Sequence, residues 1–210
     1  MNFTLLACLF STLLLISFML NLYIAQVRLI KRDIEEKALA IDYIVVVNAL
    51  SYASKKTTNA SEFSALFSYA INYSISLLKK NSDYSGELTS TEVYYNTSPG
   101  SCSAYAKAIF THPWGNETIH ALLSIKVTTY ERYSLPFLRH YEVVLLKVQV
   151  KSERPVDLSF KVKNGSIIEI KRYPDQIFLI KALVRRRRPF ILIVNDERGI
   201  ELKVKLDGNN

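Results

Sequence analysis

The chain begins in one chemistry and ends in another. From Phe3 to Ala25 it reads FTLLACLFSTLLLISFMLNLYIA, apolar except at Thr4, Ser11, Thr12, Ser17, Asn21 and Tyr23, and no charged side chain precedes Arg28. As a helix rising 1.5 Å per residue, about 23 residues cover roughly 34 Å, enough to cross a hydrocarbon core of about 30 Å with some tilt. Beyond Arg28 the apolar positions keep helical spacing at Leu29, Ile30, Ile34, Ala38, Ile41, Val45, Ala49 and Tyr52, while Arg28, Lys31, Arg32, Glu35, Glu36 and Asp42 take the other face. With no Pro or Gly before Gly86, nothing breaks the run, and one helix of about 50 residues is expected. The β-branched stretch IDYIVVV, residues 41–47, argues the other way, for a strand.

A second helix is expected over residues 61–80. Ser61 is placed as its N-cap, a stripe runs through Phe63, Leu66, Phe67, Ala70, Ile71, Ile75 and Leu78, and Lys79 and Lys80 suit the C-terminal dipole. Near residue 87 the period changes to two. ELTSTEVYYN, IHALLSIKVTTYERY, HYEVVLLKVQVKS, VDLSFKVK, SIIEIKRY, QIFLIKALV, PFILIVND and IELKVKLD each read as strands. Asn164-Gly165 between two alternating runs predicts a type I′ hairpin, NDERGI a further turn, and THPWGNET, residues 111–118, a loop. The fold class is therefore α+β: a long transmembrane and stalk helix, a second helix, and an antiparallel β-sheet or β-sandwich head. The expected organisation is 1–27 anchor, 28–54 amphipathic stalk, 55–86 a helical segment packed on the stalk, and 87–210 the head.

A cleaved secretory signal fits the opening poorly. The basic start is missing, the apolar run is too long, and no small-residue cleavage site closes it. Phe3 and Ala25 are thus taken as the ends of a retained membrane span. Orientation draws on two opposed signals. Arg28, Lys31, Arg32 and Lys37 follow the span, which by the positive-inside bias would keep the head in the cytoplasm. Against this, Asn59, Asn72, Asn96, Asn116 and Asn164 all begin N-x-[ST] acceptors, and with Asn2 six of the twelve asparagines do so, where chance gives about two. The sequons favour an exterior head.

The formal charge of +8 has a location. Residues 28–119 balance at nine basic and nine acidic, whereas 120–210 hold eighteen basic and ten acidic. Within that half, Arg185, Arg186, Arg187 and Arg188 interrupt two apolar runs. They offer either a solvated turn that discourages sheet aggregation or a grip on an acidic glycan or anionic lipid. Nucleic acid is not expected, for no zinc finger or stacking-aromatic motif accompanies the arginines.

Chemistry is otherwise sparse. His112, His120 and His140 match no metal spacing, and no Walker loop, G-x-S-x-G or dinucleotide fingerprint occurs, so no enzyme, cofactor or metal is expected. Cys8 and Cys102 build no disulfide framework, and Cys102 reads as a buried small apolar residue. Trp114 reads as a local packing anchor, with an exposed contact residue as the alternative.

LFSTLLLISFMLNLYIAQVRLI followed by KRDIEEKALAIDYIVVV resembles archaeal type IV pilin-like and archaellum-accessory proteins, a resemblance of architecture confined to residues 1–52. It implies a surface protein whose partners are membrane lipid and other envelope or pilus subunits, copies of itself included. The chain lacks a class III signal motif and an early glutamate in the apolar segment. Both departures point to a permanently anchored accessory or minor subunit. The alternative is a cytoplasm-facing anchored adaptor with Arg185–Arg188 on anionic lipid.

Overall fold

The computed structural model describes residues 3–57, 59–82, 84–137 and 139–208, with side-chain surroundings from Leu13 onward. Its contacts divide the chain into two units, one up to Ile41 and one from Asp42.

Helix α1 runs without a break over Phe3–Lys56. From Leu13 to Ile34 every side chain along it is exposed. Leu13, Ile16, Phe18, Met19 and Leu20 are each about 60 % exposed. Lys31–Glu35, Arg32–Glu36 and Asp33–Lys37 form i,i+4 ion pairs along it, each worth a few tenths of a kcal/mol. Within the described residues this is the one helix long and apolar enough to cross a membrane. The span ends expected at Phe3 and Ala25 fall on its first residue and its interior, with Ala25 exposed. The Cys8 and Phe3 side chains lie outside the described residues.

In the second unit the same helix becomes core. Asp42, Val45, Val46, Ala49, Leu50, Ala53 and Ser54 are buried at i, i+3, i+4 spacing, so burial of one face overrides the strand preference of the valines. Asp42, assigned by its charge to the solvent face, is completely buried. Helix α2, Ala60–Asn81, turns Phe63, Phe67, Ile71 and Ile75 inward. Its N-cap is Asn59, not Ser61. The Asn59 side-chain oxygen accepts from the Glu62 N–H at 2.8 Å, and the Ser61 hydroxyl donates to that same oxygen. Asparagine in extended backbone presents its carbonyl to the first turn better than a serine already inside the helix.

Nine strands follow: β1 Glu87–Ser98, β2 Ser101–His112, β3 Gly115–Ser134, β4 Tyr141–Ser152, β5 Leu158–Lys163, β6 Gly165–Tyr173, β7 Ile177–Arg185, β8 Phe190–Asp196 and β9 Glu201–Leu206. All pairs are antiparallel. They form a six-stranded sheet, β1-β2-β3-β4-β7-β6, and a three-stranded sheet, β5-β8-β9. Alternate residues of β2, β3, β4 and β7 are buried on one face, and those of β8 and β9 on another. The two faces meet where Phe160 of β5 packs on Phe178 of β7, with ring centroids 4.9 Å apart.

Three expectations are corrected here. Strand β2 was not foreseen; of its inward side chains Cys102, Ala104, Ala106, Ala108, Phe110 and His112, the first four are too small to mark a strand by hydrophobic alternation. The expected 111–118 loop shrinks to Pro113-Trp114, because His112 already pairs with Gly115 across a two-residue turn. Asn164-Gly165 does not close a hairpin. Asn164 is left-handed at φ 67° and Gly165 is not, whereas a type I′ turn needs both. Strand β5 pairs with β8 and strand β6 with β7, so the segment β5–β8 is one long hairpin folded at its middle, with its base in one sheet and its tip in the other. Asn164 is the corner on one arm. A Cβ at Gly165 would collide with the Leu183 carbonyl oxygen, which fixes glycine where the arms cross. The NDERGI turn is present, closed by Gly199 at φ 84° donating to the Asp196 carbonyl.

Candidate anion-binding site

The other arm of the folded hairpin makes its corner with the arginines. Val184 is buried in the large sheet and Phe190 in the small one; sheets packed face to face lie about 10 Å apart. The five residues between them cross that gap, and they belong to neither core. Arg185 ends β7 opposite Tyr141. Arg187 is left-handed at φ 57°, the Arg188 N–H donates to the Arg185 carbonyl, and the Arg186 N–H donates to the His140 carbonyl at 2.9 Å. The backbone of Gly208 lies so close to Arg187 and Arg188 that a Cβ on it would sit 2.6 Å from their backbone atoms.

This fixed turn and the start of β4 enclose an open concavity of about 510 Å³ lined by Arg139, His140, Tyr141 and Arg185–Arg188. No acidic residue is among its lining. All five guanidinium groups are exposed, and among the described residues none makes an ion pair. The sequence neighbour Glu142 is engaged elsewhere, with Arg132 at 2.7 Å; that arginine also donates to the carbonyls of Gly208 and Asp207. Unrelieved like charge in a recess raises the local potential and concentrates anions. Guanidinium groups suit carboxylate, sulfate and phosphate because two N–H bonds can be made to each.

A second polar constellation escaped the sequence reading. Asp42 Oδ2 accepts from His112 Nε2 at 2.7 Å, Asp42 Oδ1 accepts from the Tyr84 hydroxyl, and Trp114 stacks on the His112 ring at 4.6 Å. Both side chains of the Asp42–His112 pair are fully buried. Burial first, then the hydrogen bond and charge of Asp42, pushes the Tyr84 phenol far above its ordinary value of 10. Acid, imidazole and phenol sit together, and their hydrogen bonds tie α1 to β2. Trp114 is the local anchor expected. From the next helix position, the Tyr43 hydroxyl donates to Glu153, which holds Arg198, itself 2.7 Å from Asp196. Adjacent helix residues thus enter two separate networks, one buried and one that reaches the surface at Glu153.

The remaining histidines are exposed: His120 lies 3.0 Å from the Tyr105 hydroxyl, and His140 is on the arginine rim. No group of three His, Cys, Asp or Glu side chains that could hold a metal occurs among the described residues. Cys102 is buried and free, its thiol pushed up by burial. Asn59, Asn72, Asn96, Asn116 and Asn164 are all exposed, at the α2 cap, on α2, on β1, on β3 and at the hairpin corner.

No family model, curated protein or solved structure matches the chain.

Proposed function

We propose that the protein is a single-pass, membrane-anchored surface protein of pilin-like build whose head faces the exterior and acts in surface assembly or adhesion, through protein or glycan contacts. The observation that carries this reading is the state of α1. About four turns from Leu13 to Val27 hold large apolar side chains 40–66 % exposed on every side, a burden that water tolerates in no monomeric domain but lipid accommodates. The same helix continues past Ile41, and that continuation supplies the head with part of its core.

Two features fit assembly. Edge strand β6 leaves Ile168, Ile170 and Tyr173 about half exposed, and β1 is the opposite edge; open edges accept added strands. Five accessible sequons fit an exterior head. A cytoplasm-facing adaptor is favoured by Arg28, Lys31, Arg32 and Lys37 just past the apolar run. The experiment is protease added to intact cells, read with a C-terminal tag, together with the mass of the native protein and its resistance to alkaline extraction from membranes. Digestion of the head and retention in the extracted membrane are expected. A head protected until the cells are lysed establishes the adaptor reading instead, and release by alkali ends both.

A further inference from the structure

We propose that the recess of Arg139, His140, Tyr141 and Arg185–Arg188 binds an acidic polysaccharide, its repeated carboxylate or sulfate groups seated on the guanidinium groups. The proposal rests on the exterior placement of the head, and it names the ligand class that such a head would hold.

Three observations select a chain-like polyanion. The first is charge. Five guanidinium groups without a carboxylate partner line one recess, and a single small anion neutralises one or two of them, whereas a chain bearing an anion on each repeat neutralises all. The second is shape. A recess of about 510 Å³ falls in the size range of built ligand sites, and a strand of sugar can enter it where a flat bilayer cannot. The third is position. Strand β4 carries Tyr141 of the recess at one end, and Glu153, the partner of Tyr43 on α1, follows its other end. Twelve extended residues separate the two by about 36 Å. Within the head, the recess is therefore remote from Tyr43.

The recess is also held ready. Its backbone is fixed by the Arg186–His140 and Arg188–Arg185 hydrogen bonds and by Gly208 behind it, so little ordering of the turn opposes binding. A solvated anti-aggregation turn needs charge, but it needs neither a concave arrangement nor a flanking Arg139 from another loop.

The test uses the full chain in nanodiscs of zwitterionic lipid and four probes: heparin, polygalacturonate, neutral dextran, and vesicles of phosphatidylcholine with and without phosphatidylglycerol. Heparin and polygalacturonate should bind with affinity that falls as salt rises, and dextran should not bind. Replacing Arg185, Arg186, Arg187 and Arg188 together by Ser should weaken polyanion binding at least about tenfold, since exposed pairs contribute modestly one by one. The control replaces Lys126, Lys151, Lys161 and Lys163 by Ser; these are exposed, unpaired and outside the recess, and their loss should change binding less than about threefold by the same measure. Single Arg139→Ser and Arg186→Ser variants serve if the quadruple variant does not fold, and each should weaken binding while the Trp114 emission stays native. Equal losses in the arginine and lysine variants would reduce the effect to net charge and overturn the proposal. So would absence of binding, or arginine-dependent binding to the anionic vesicles alone. Because binding is measured on purified protein, its failure is separate from failure of the topology experiment on cells.

Discussion

Replacing Asp42 by Ala removes the one acceptor shared by Tyr84 and His112. In the native head the Asp42 and His112 side chains have no solvent exposure, so water cannot take the place of the lost carboxylate. Two donors lose their partner: His112 Nε2, which is fully buried, and the Tyr84 hydroxyl, which is part-buried. The buried one costs about 1–3 kcal/mol and the part-buried one less, so the head should lose about 1–4 kcal/mol. The His112 Nδ1 atom already has no partner, so the ring has no second hydrogen bond to fall back on. With an m-value of about 2 kcal/mol/M in urea, the midpoint should fall by roughly 0.5–2 M. Trp114 is the chain's only tryptophan and stacks on the His112 ring, so its emission reports on this cluster directly in the full protein. A cycle with His112→Phe sharpens the reading, because removing both polar partners should recover at least about 1 kcal/mol relative to the sum of the singles. A loss below about 0.5 kcal/mol for Asp42→Ala, or additivity within that margin, would refute the claim that this cluster fastens helix to sheet.

Alkali should act on Tyr84 and on Tyr95, whose phenol is raised by burial first and then by Cys102. Folded values above the ordinary 10 mean that their contribution to stability is whole below pH 10 and is lost above it, as the unfolded chain ionises first. Tyrosinate absorbance should therefore resolve two phenols that ionise only as the Trp114 signal collapses; thirteen tyrosines titrating in one phase near pH 10 with the head intact would contradict this. At the hairpin corner, Asn164→Gly should leave the urea midpoint nearly unchanged, whereas Asn164→Val should cost about 1–2 kcal/mol by forcing a branched side chain into left-handed backbone. Equal midpoints for the two variants would remove the corner's conformational demand.

What the sequence disclosed follows the size of side chains. The helix through Lys56, the second helix, and eight of nine strands were legible because Leu, Ile, Val and Phe repeat at helical or alternate spacing. Strand β2 was not, because four of its inward residues, Cys102, Ala104, Ala106 and Ala108, are small, on the same face as the His112 that bonds Asp42 of α1. The Asp42 cluster was hidden for a related reason. Its members come from residues 42, 84 and 112, brought together only by tertiary packing, and a lone Asp among charged neighbours reads as solvated. The corner at Asn164 was misread because local turn chemistry says nothing about which sheet the next strand will join. The arginine run could be seen from its composition. Its partnership with Arg139 and His140, which turns a charge cluster into a recess, required the Tyr141–Arg185 pairing.

The hairpin folded across both sheets has a mechanical consequence. A force that pulls on the head cannot peel the three-stranded layer away first, because β5 and β8 continue covalently into β6 and β7 of the larger layer. Tearing one layer loads the other, so the head should yield as a single unit under shear, like a hinge whose pin passes through both leaves.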